Sequence, residues 1–70
     1  MEKCYHFDFY IITPDGDWKL YLIKTTSVLG RRSLLNQLKS EGYVYDRKHR
    51  AYFQSLAPKT RFAVFITLFK

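Results

Sequence analysis

The feature that most constrains the fold is a single segment with helical spacing, residues 31–42, in a chain whose remaining segments favour β-strands. Leu34, Leu35 and Leu38 recur at positions that lie on one stripe of an α-helix. Gly42 follows as a residue that can adopt a left-handed conformation and end the helix. The sequence therefore predicts a β-sheet in which this helix, or a partner, covers one face.

The start of the helix has two possible positions. Ser27 is a good N-cap, which would start the helix at Val28 and place Gly30 in its first turn. Alternatively, the helix begins after Gly30. Arg31 and Arg32 near the N-terminus oppose the helix macrodipole, so they are candidates for a functional role. The alternative is that both are solvated side chains on the polar face.

The segment before the helix predicts a β-hairpin. Residues 4–13 begin as an alternation of aromatic and polar side chains and become apolar on both sides toward the end. Pro14 and Gly16 then favour a three-residue loop with a positive φ at the glycine. Residues 18–25 are rich in β-formers and return as the second strand.

The loop length predicts which side chains face each other in this hairpin. The expected pairs are Phe9 with Tyr21 and Phe7 with Ile23 on one face, and Tyr10 with Leu20 and Ile12 with Trp18 on the other. Both faces then carry bulky apolar groups. One face can pack under the helix, and the other needs a homodimer, a partner or a role as a stacking platform for bases.

The segment after the helix predicts three more strands. Residues 43–46 and 51–55 flank a four-residue loop, as in a hairpin. Residues 56–60 form another turn, and residues 61–70 fit either helix or strand. We predict a strand there, because its residues are β-formers and can pair with 51–55. The predicted fold class is α+β: a single small domain, 1–70, of order β-β-α-β-β-β, an antiparallel sheet with one helix packed on one face.

Charge and cysteine usage limit the function classes. The net charge is +6, and it is uneven: residues 1–18 carry four acids and one lysine (−3), whereas residues 19–70 carry eleven cations and two acids (+9). This asymmetry favours a basic face that meets a polyanion or an acidic protein, with solubility as the alternative. The single cysteine, Cys4, excludes an internal disulfide and a cysteine-based zinc site. We expect a cytoplasmic protein with no signal peptide, no membrane span, no metal and no cofactor.

The most conspicuous candidate site is the tip of the second hairpin. Three cations and one imidazole follow each other in residues 47–50, with a tyrosine on either side. Cations bind phosphates and flat aromatic rings stack on unpaired bases, so this pattern favours RNA or single-stranded nucleic acid. The predicted nucleic-acid-binding residues are Arg31, Arg32, Arg47, Lys48, His49, Arg50 and Arg61 for charge, with Tyr45 and Tyr52 for stacking.

Catalysis has little support in the sequence, and no catalytic residue is predicted. Cys4, His6 and Asp8 share one side of the first strand, but successive members lie about 6–7 Å apart at Cα. The run of residues 34–44, followed by His49 in a basic tip and by an aromatic strand, loosely resembles the helix–hairpin portion of HicA-type toxins over about a third of the chain. Those toxins are small ribonucleases, so the resemblance implies that His49 could act as an acid or base on RNA.

Two function hypotheses from different classes follow. The leading one is a small, basic, non-enzymatic binding protein that contacts nucleic acid. The alternative is a protein-binding inhibitor or adaptor of the phage or mobile-element type, acting for example on a host nuclease or defence complex, through a sheet face or edge that includes Trp18 and Tyr21. A homodimer through the terminal strand, residues 62–69, is a third possibility.

Overall fold

A computed structural model describes residues 3–55 and 60–69, with the side chain of residue 69 excepted. It confirms the α+β class and the predicted element order. The elements are β1 (Cys4–Ile12), β2 (Trp18–Ser27), α1 (Val28–Ser40), β3 (Val44–Asp46), β4 (Ala51–Ser55) and β5 (Arg61–Phe69). The turn predicted at residues 56–60 lies outside the described residues except for Thr60.

The five strands form one sheet in the order β2-β1-β5-β4-β3, and all neighbours are antiparallel. The segment that fitted both helix and strand is therefore a strand, β5, at the centre of the sheet. It pairs with β1 along its whole length and with β4 over residues 61–64. Because β5 is internal, the outer edges of the sheet are β2 and β3.

The first hairpin has the predicted loop. The amide of Thr13 donates to the carbonyl of Asp17 over 2.9 Å, and the amide of Gly16 donates to the carbonyl of Thr13 over 2.9 Å. Gly16 has a φ of 91°, in the left-handed region that favours glycine. The pairs Tyr10 with Leu20 and Ile12 with Trp18 are also confirmed.

The two other predicted pairs of this hairpin are wrong. The register shifts between Phe9 and Tyr10, so Phe9 lies opposite Leu22 and Phe7 lies opposite Lys24. The cause is a β-bulge: Tyr21 is an extra residue of β2 that has no paired residue on β1. As a result, side chains beyond the bulge change face, and Ile23 lies opposite Asp8 instead.

Local capping decides both ends of α1. The hydroxyl of Ser27 accepts a hydrogen bond from the amide of Gly30 over 3.2 Å, so the helix starts at Val28, the first of the two positions considered. At the other end, Gly42 has a φ of 95°, and the amide of Tyr43 donates to the carbonyl of Leu38, as in a Schellman motif. With this start, Arg31 lies at the end of the first turn and Arg32 lies beyond it, where the macrodipole opposes them less.

The core lies between α1 and one face of the sheet. Its buried residues come from the helix, from β1 and β5, and from the chain after the helix: Phe7, Phe9, Leu35, Leu38, Tyr43 and Val64. Helix α1 packs mainly against β1 and β2. It therefore leaves the other half of the same sheet face, over β5, β4 and β3, without a helix. Within the described residues, no helix is long and apolar enough to cross a membrane.

Candidate nucleic-acid interface

The uncovered half of the helix-side face forms a groove with a volume of about 420 Å³. We call it the groove; it lies between α1 and the β3–β4 hairpin. Its floor consists of three apolar side chains of β5, Val64, Ile66 and Leu68, and its walls are five long side chains: Tyr5, Arg31, Tyr45, Arg50 and Tyr52. None of the eight is acidic, so the groove is apolar at its base and basic at its rim.

Strand pairing explains why the tyrosines meet there. Tyr52 lies opposite Val64 on one side and opposite Tyr45 on the other, and directly paired residues project to the same face. Tyr5 lies opposite Leu68 on the far side of β5. The rings of Tyr45 and Tyr52 contact each other edge to face, with centroids 5.0 Å apart.

The two arginines come from opposite walls. Arg31 projects from α1, and its guanidinium carbon lies 5.1 Å from the centre of the Tyr5 ring, a cation–π contact. Its Nε is buried and has no hydrogen-bond partner within the described part of the chain. Arg50 closes the tip loop with a φ of 54° and is exposed. Neither arginine forms an ion pair with a described carboxylate, so both charges are available to an anion.

Other predicted site residues lie elsewhere. We call the sheet face opposite α1 the open face. Arg61 lies on it, with its guanidinium carbon 4.8 Å from the centre of the Phe53 ring, and the His49 ring lies 5.5 Å from Phe53. Arg32, Arg47 and Lys48 are exposed and do not line the groove. The fold thus brings together four of the nine predicted residues, Arg31, Arg50, Tyr45 and Tyr52, and separates the others from them.

Asp46 organises the tip loop. Its Oδ1 accepts a hydrogen bond from the amide of Lys48 over 2.9 Å, and its Oδ2 lies 2.7 Å from Nδ1 of His49. The hydrogen bond with His49 lowers the pKa of the Asp46 carboxyl below its ordinary value. His49 is therefore tied to the loop and lies beside Phe53, away from the groove.

The open face carries an aromatic cluster that sequence reasoning found only in part. Tyr10 and Trp18 were predicted to lie on the same face of the first hairpin, but Phe53 and Phe65 were not connected with them. Each of the four rings contacts at least one other at centroid distances of 5.6–6.0 Å. These rings lie on the face that also holds the buried side chains of Ile12 and Ala63. The cluster therefore forms a second, smaller apolar layer, in which Trp18 remains 43% exposed.

The two residues suggested for protein binding lie on opposite faces. Trp18 is on the open face, whereas Tyr21 contacts Phe9 and Phe62 on the helix side, at 6.3 and 6.2 Å between ring centroids. What they share is β2, an edge strand of ten residues. Its central side chains, from Leu20 to Ile23, are all exposed.

Sequence reasoning also missed Tyr5 as a wall of the groove. The alternation of β1 placed Tyr5 on the same side as Phe7, but nothing local showed that Leu68 and Arg31 would lie beside it. Within residues 3–55 and 60–69, no group of three or more His, Cys, Asp or Glu side chains is placed to hold a metal ion.

Comparison of the chain with protein-family models, with curated proteins and with solved structures found no match. The function is therefore inferred from the geometry and charge of these surfaces.

Proposed function

We propose that this chain is a small, non-enzymatic protein that binds single-stranded nucleic acid, RNA in particular, through the groove. The observation that supports this proposal is the convergence of Arg31 and Arg50 with three tyrosines around an apolar floor. These residues come from β1, α1, β3, β4 and the tip loop, so only the folded chain assembles them.

The charge of the groove favours a polyanion. Its two guanidinium groups have no carboxylate partner among the described residues, and no acidic side chain lines the groove. Arginine binds phosphate through two parallel N–H donors, and this geometry is stronger than a single contact. The surplus of nine positive charges in residues 19–70 adds a long-range attraction for the same ligand.

The tyrosines favour single strands over duplexes. Tyr45 and Tyr52 present ring surfaces beside the two arginines, and unpaired bases stack on such rings. A base in a duplex has both faces covered by its neighbours, so it cannot use this contact. Helix α1 also stands on the same side of the sheet as the groove and limits access by a wide double helix.

The test is fluorescence anisotropy with labelled single-stranded RNA, duplex RNA and duplex DNA. We expect micromolar binding to single-stranded RNA that weakens with salt, and weaker binding to both duplexes. Arg31→Gln should weaken binding at least about tenfold, since a charge-assisted contact contributes about 1.5–3 kcal/mol. Arg32→Gln is the matched control, because it removes the same charge from the same helix without touching the groove. Equal effects of the two substitutions would contradict a role for the groove.

A second candidate function, docking of a protein strand, is supported by β2. This edge strand has no partner on its outer side within the described sheet, and Ile23 is 53% exposed. An exposed edge of this length can pair with a strand of another protein. Leu22→Lys, on the exposed edge, should then abolish capture of a protein partner and leave RNA affinity unchanged.

The single thiol, Cys4, suits a reducing compartment, and on that ground we propose that the protein is cytoplasmic.

A further inference from the structure

The geometry points to a pocket for one unpaired nucleotide, in which the base packs against the apolar floor and Tyr52, and the phosphate binds between Arg31 and Arg50. This inference rests on the proposed function and narrows it. The groove holds a single nucleotide, and successive bases of a strand do not stack along it.

The size of the groove supports one nucleotide. Its volume of about 420 Å³ lies toward the lower end of the roughly 300–1,000 Å³ that small-molecule sites occupy. Arg31 of α1 and Tyr5 of β1 line the groove on one side of β5, and the β3–β4 hairpin lines it on the other side.

The distribution of polarity matches the parts of a nucleotide. The floor side chains Ile66, which is half-buried, and Leu68, which is 42% exposed, offer an apolar surface to the face of a base, and the buried Val64 supports them from below. The three tyrosine hydroxyls of the walls can donate and accept hydrogen bonds, as ribose hydroxyls and base edges require. The guanidinium groups suit the phosphate. Small-molecule binding sites usually combine an apolar lining with a few polar groups in this way.

Arg31 is prepared for the phosphate before any ligand arrives. Its stacking on Tyr5 holds the guanidinium in place, and its buried Nε has no hydrogen-bond partner in the described residues. Because this Nε is buried, a phosphate in the groove would bind the other N–H donors of the guanidinium group, which the contact with Tyr5 holds in position.

Main-chain groups at one end of the groove can add base recognition. Beyond Val64, β5 is paired with β1 but not with β4. The other edge of β5 therefore borders Ile66 and Leu68 without a described strand beside it. Backbone amides and carbonyls on such an edge can pair with the hydrogen-bonding edge of an unpaired base.

The test is a titration of the full chain with uridine 5′-monophosphate and adenosine 5′-monophosphate, followed by amide NMR shifts and by calorimetry. Uridine and inorganic phosphate are the controls, and a labelled single-stranded RNA of ten nucleotides is titrated in parallel. We expect the monophosphates to bind at least about tenfold more tightly than uridine, with shifts centred on the groove. Arg31→Gln and Arg50→Gln should each weaken this binding about tenfold or more, whereas Arg32→Gln should change it less than about twofold.

The outcomes separate this inference from the proposed function. If the RNA binds but the monophosphates do not, or if inorganic phosphate binds as tightly as they do, the one-nucleotide pocket is wrong and nucleic-acid binding stands. If the monophosphates bind and the RNA does not, the pocket is correct and strand binding is wrong. If neither binds, both are wrong. Because Arg31→Gln could disturb packing on Tyr5, Arg50→Gln at the exposed tip provides an independent test.

Discussion

The structure predicts that a side chain at Gly30 lowers the stability of the fold. The residue lies in the first turn of α1, beside Thr26 at the end of β2. A β-carbon added at Gly30 would overlap the hydroxyl of Thr26 and would come 3.5 Å from its β-carbon. Overpacking of this kind costs about 1–3 kcal/mol. Alanine would recover roughly 0.5–1 kcal/mol through its helix propensity. A direct overlap of two atoms lies in the upper half of the overpacking range, about 2–3 kcal/mol, so we expect Gly30→Ala to lower the free energy of unfolding by about 1–2.5 kcal/mol. This corresponds to a fall in Tm of roughly 4–20 °C in a chain of this size.

Urea and thermal denaturation followed by circular dichroism would measure this change. Thr26→Ala combined with Gly30→Ala removes the overlapping hydroxyl, so the double variant should regain most of the loss. Thr26→Ser keeps the hydroxyl, and its combination with Gly30→Ala should remain as unstable as Gly30→Ala alone. If Gly30→Ala is as stable as the natural chain, or more stable, the close approach of α1 to β2 is wrong.

Three further predictions concern the core and the tip. Burial, and to a lesser extent the neighbouring Tyr21 and Glu41, raise the pKa of the Tyr43 hydroxyl from its ordinary value of 10.0 to about 12, which favours the neutral form in the folded chain. The contribution of Tyr43 to stability should therefore be present below pH 10 and be lost, by roughly 2–3 kcal/mol, as pH rises through the folded pKa of about 12, a loss that Tyr43→Phe removes in alkaline urea melts. Val64→Ala should cost roughly 2–3 kcal/mol in urea denaturation, because Val64 is 0% exposed, whereas Val44→Ala at 70% exposure should cost less than about 0.5 kcal/mol. Because the pKa of the Asp46 carboxyl is lowered in the folded chain, this group stabilises the fold above its ordinary pKa of 3.8, and the stabilisation is lost as pH falls through the pKa of the folded state. Asp46→Asn should therefore flatten the acid limb of a curve of stability against pH. An unchanged acid limb would contradict the His49 contact.

Local signals explain what the sequence could predict. Ser27 and Gly42 mark the ends of α1 because capping depends on a few adjacent residues. Gly16 marks the first loop for the same reason. The terminal strand was predicted from residue preference and from the turn before it, which allows it to pair with residues 51–55.

Non-local packing explains what the sequence could not predict. The bulge at Tyr21 has no glycine or proline to mark it, and it moves Ile23 to the other face. The central position of β5 depends on pairing with β1, whose residues lie 49 to 65 positions earlier in the chain. That pairing places Tyr5 beside Leu68 and so creates the groove. Arg61 is separated from Arg31 because it pairs with Ile12, so its side chain projects to the open face.

The most direct test of the groove as the binding surface is the salt dependence of RNA affinity in two matched double variants. Each phosphate contact contributes a slope of about −0.7 to log K against log salt for single strands, so loss of both groove arginines should make the slope shallower by about 1.4. Over a fourfold rise in salt, from about 50 to about 200 mM, the natural chain should then lose roughly sevenfold more affinity than Arg31→Gln/Arg50→Gln. Arg32→Gln/Arg47→Gln removes the same charge outside the groove and should change the slope by less than about 0.5. Equal slopes for the two double variants, or a larger change in the second, would contradict the central claim that the groove holds the phosphates.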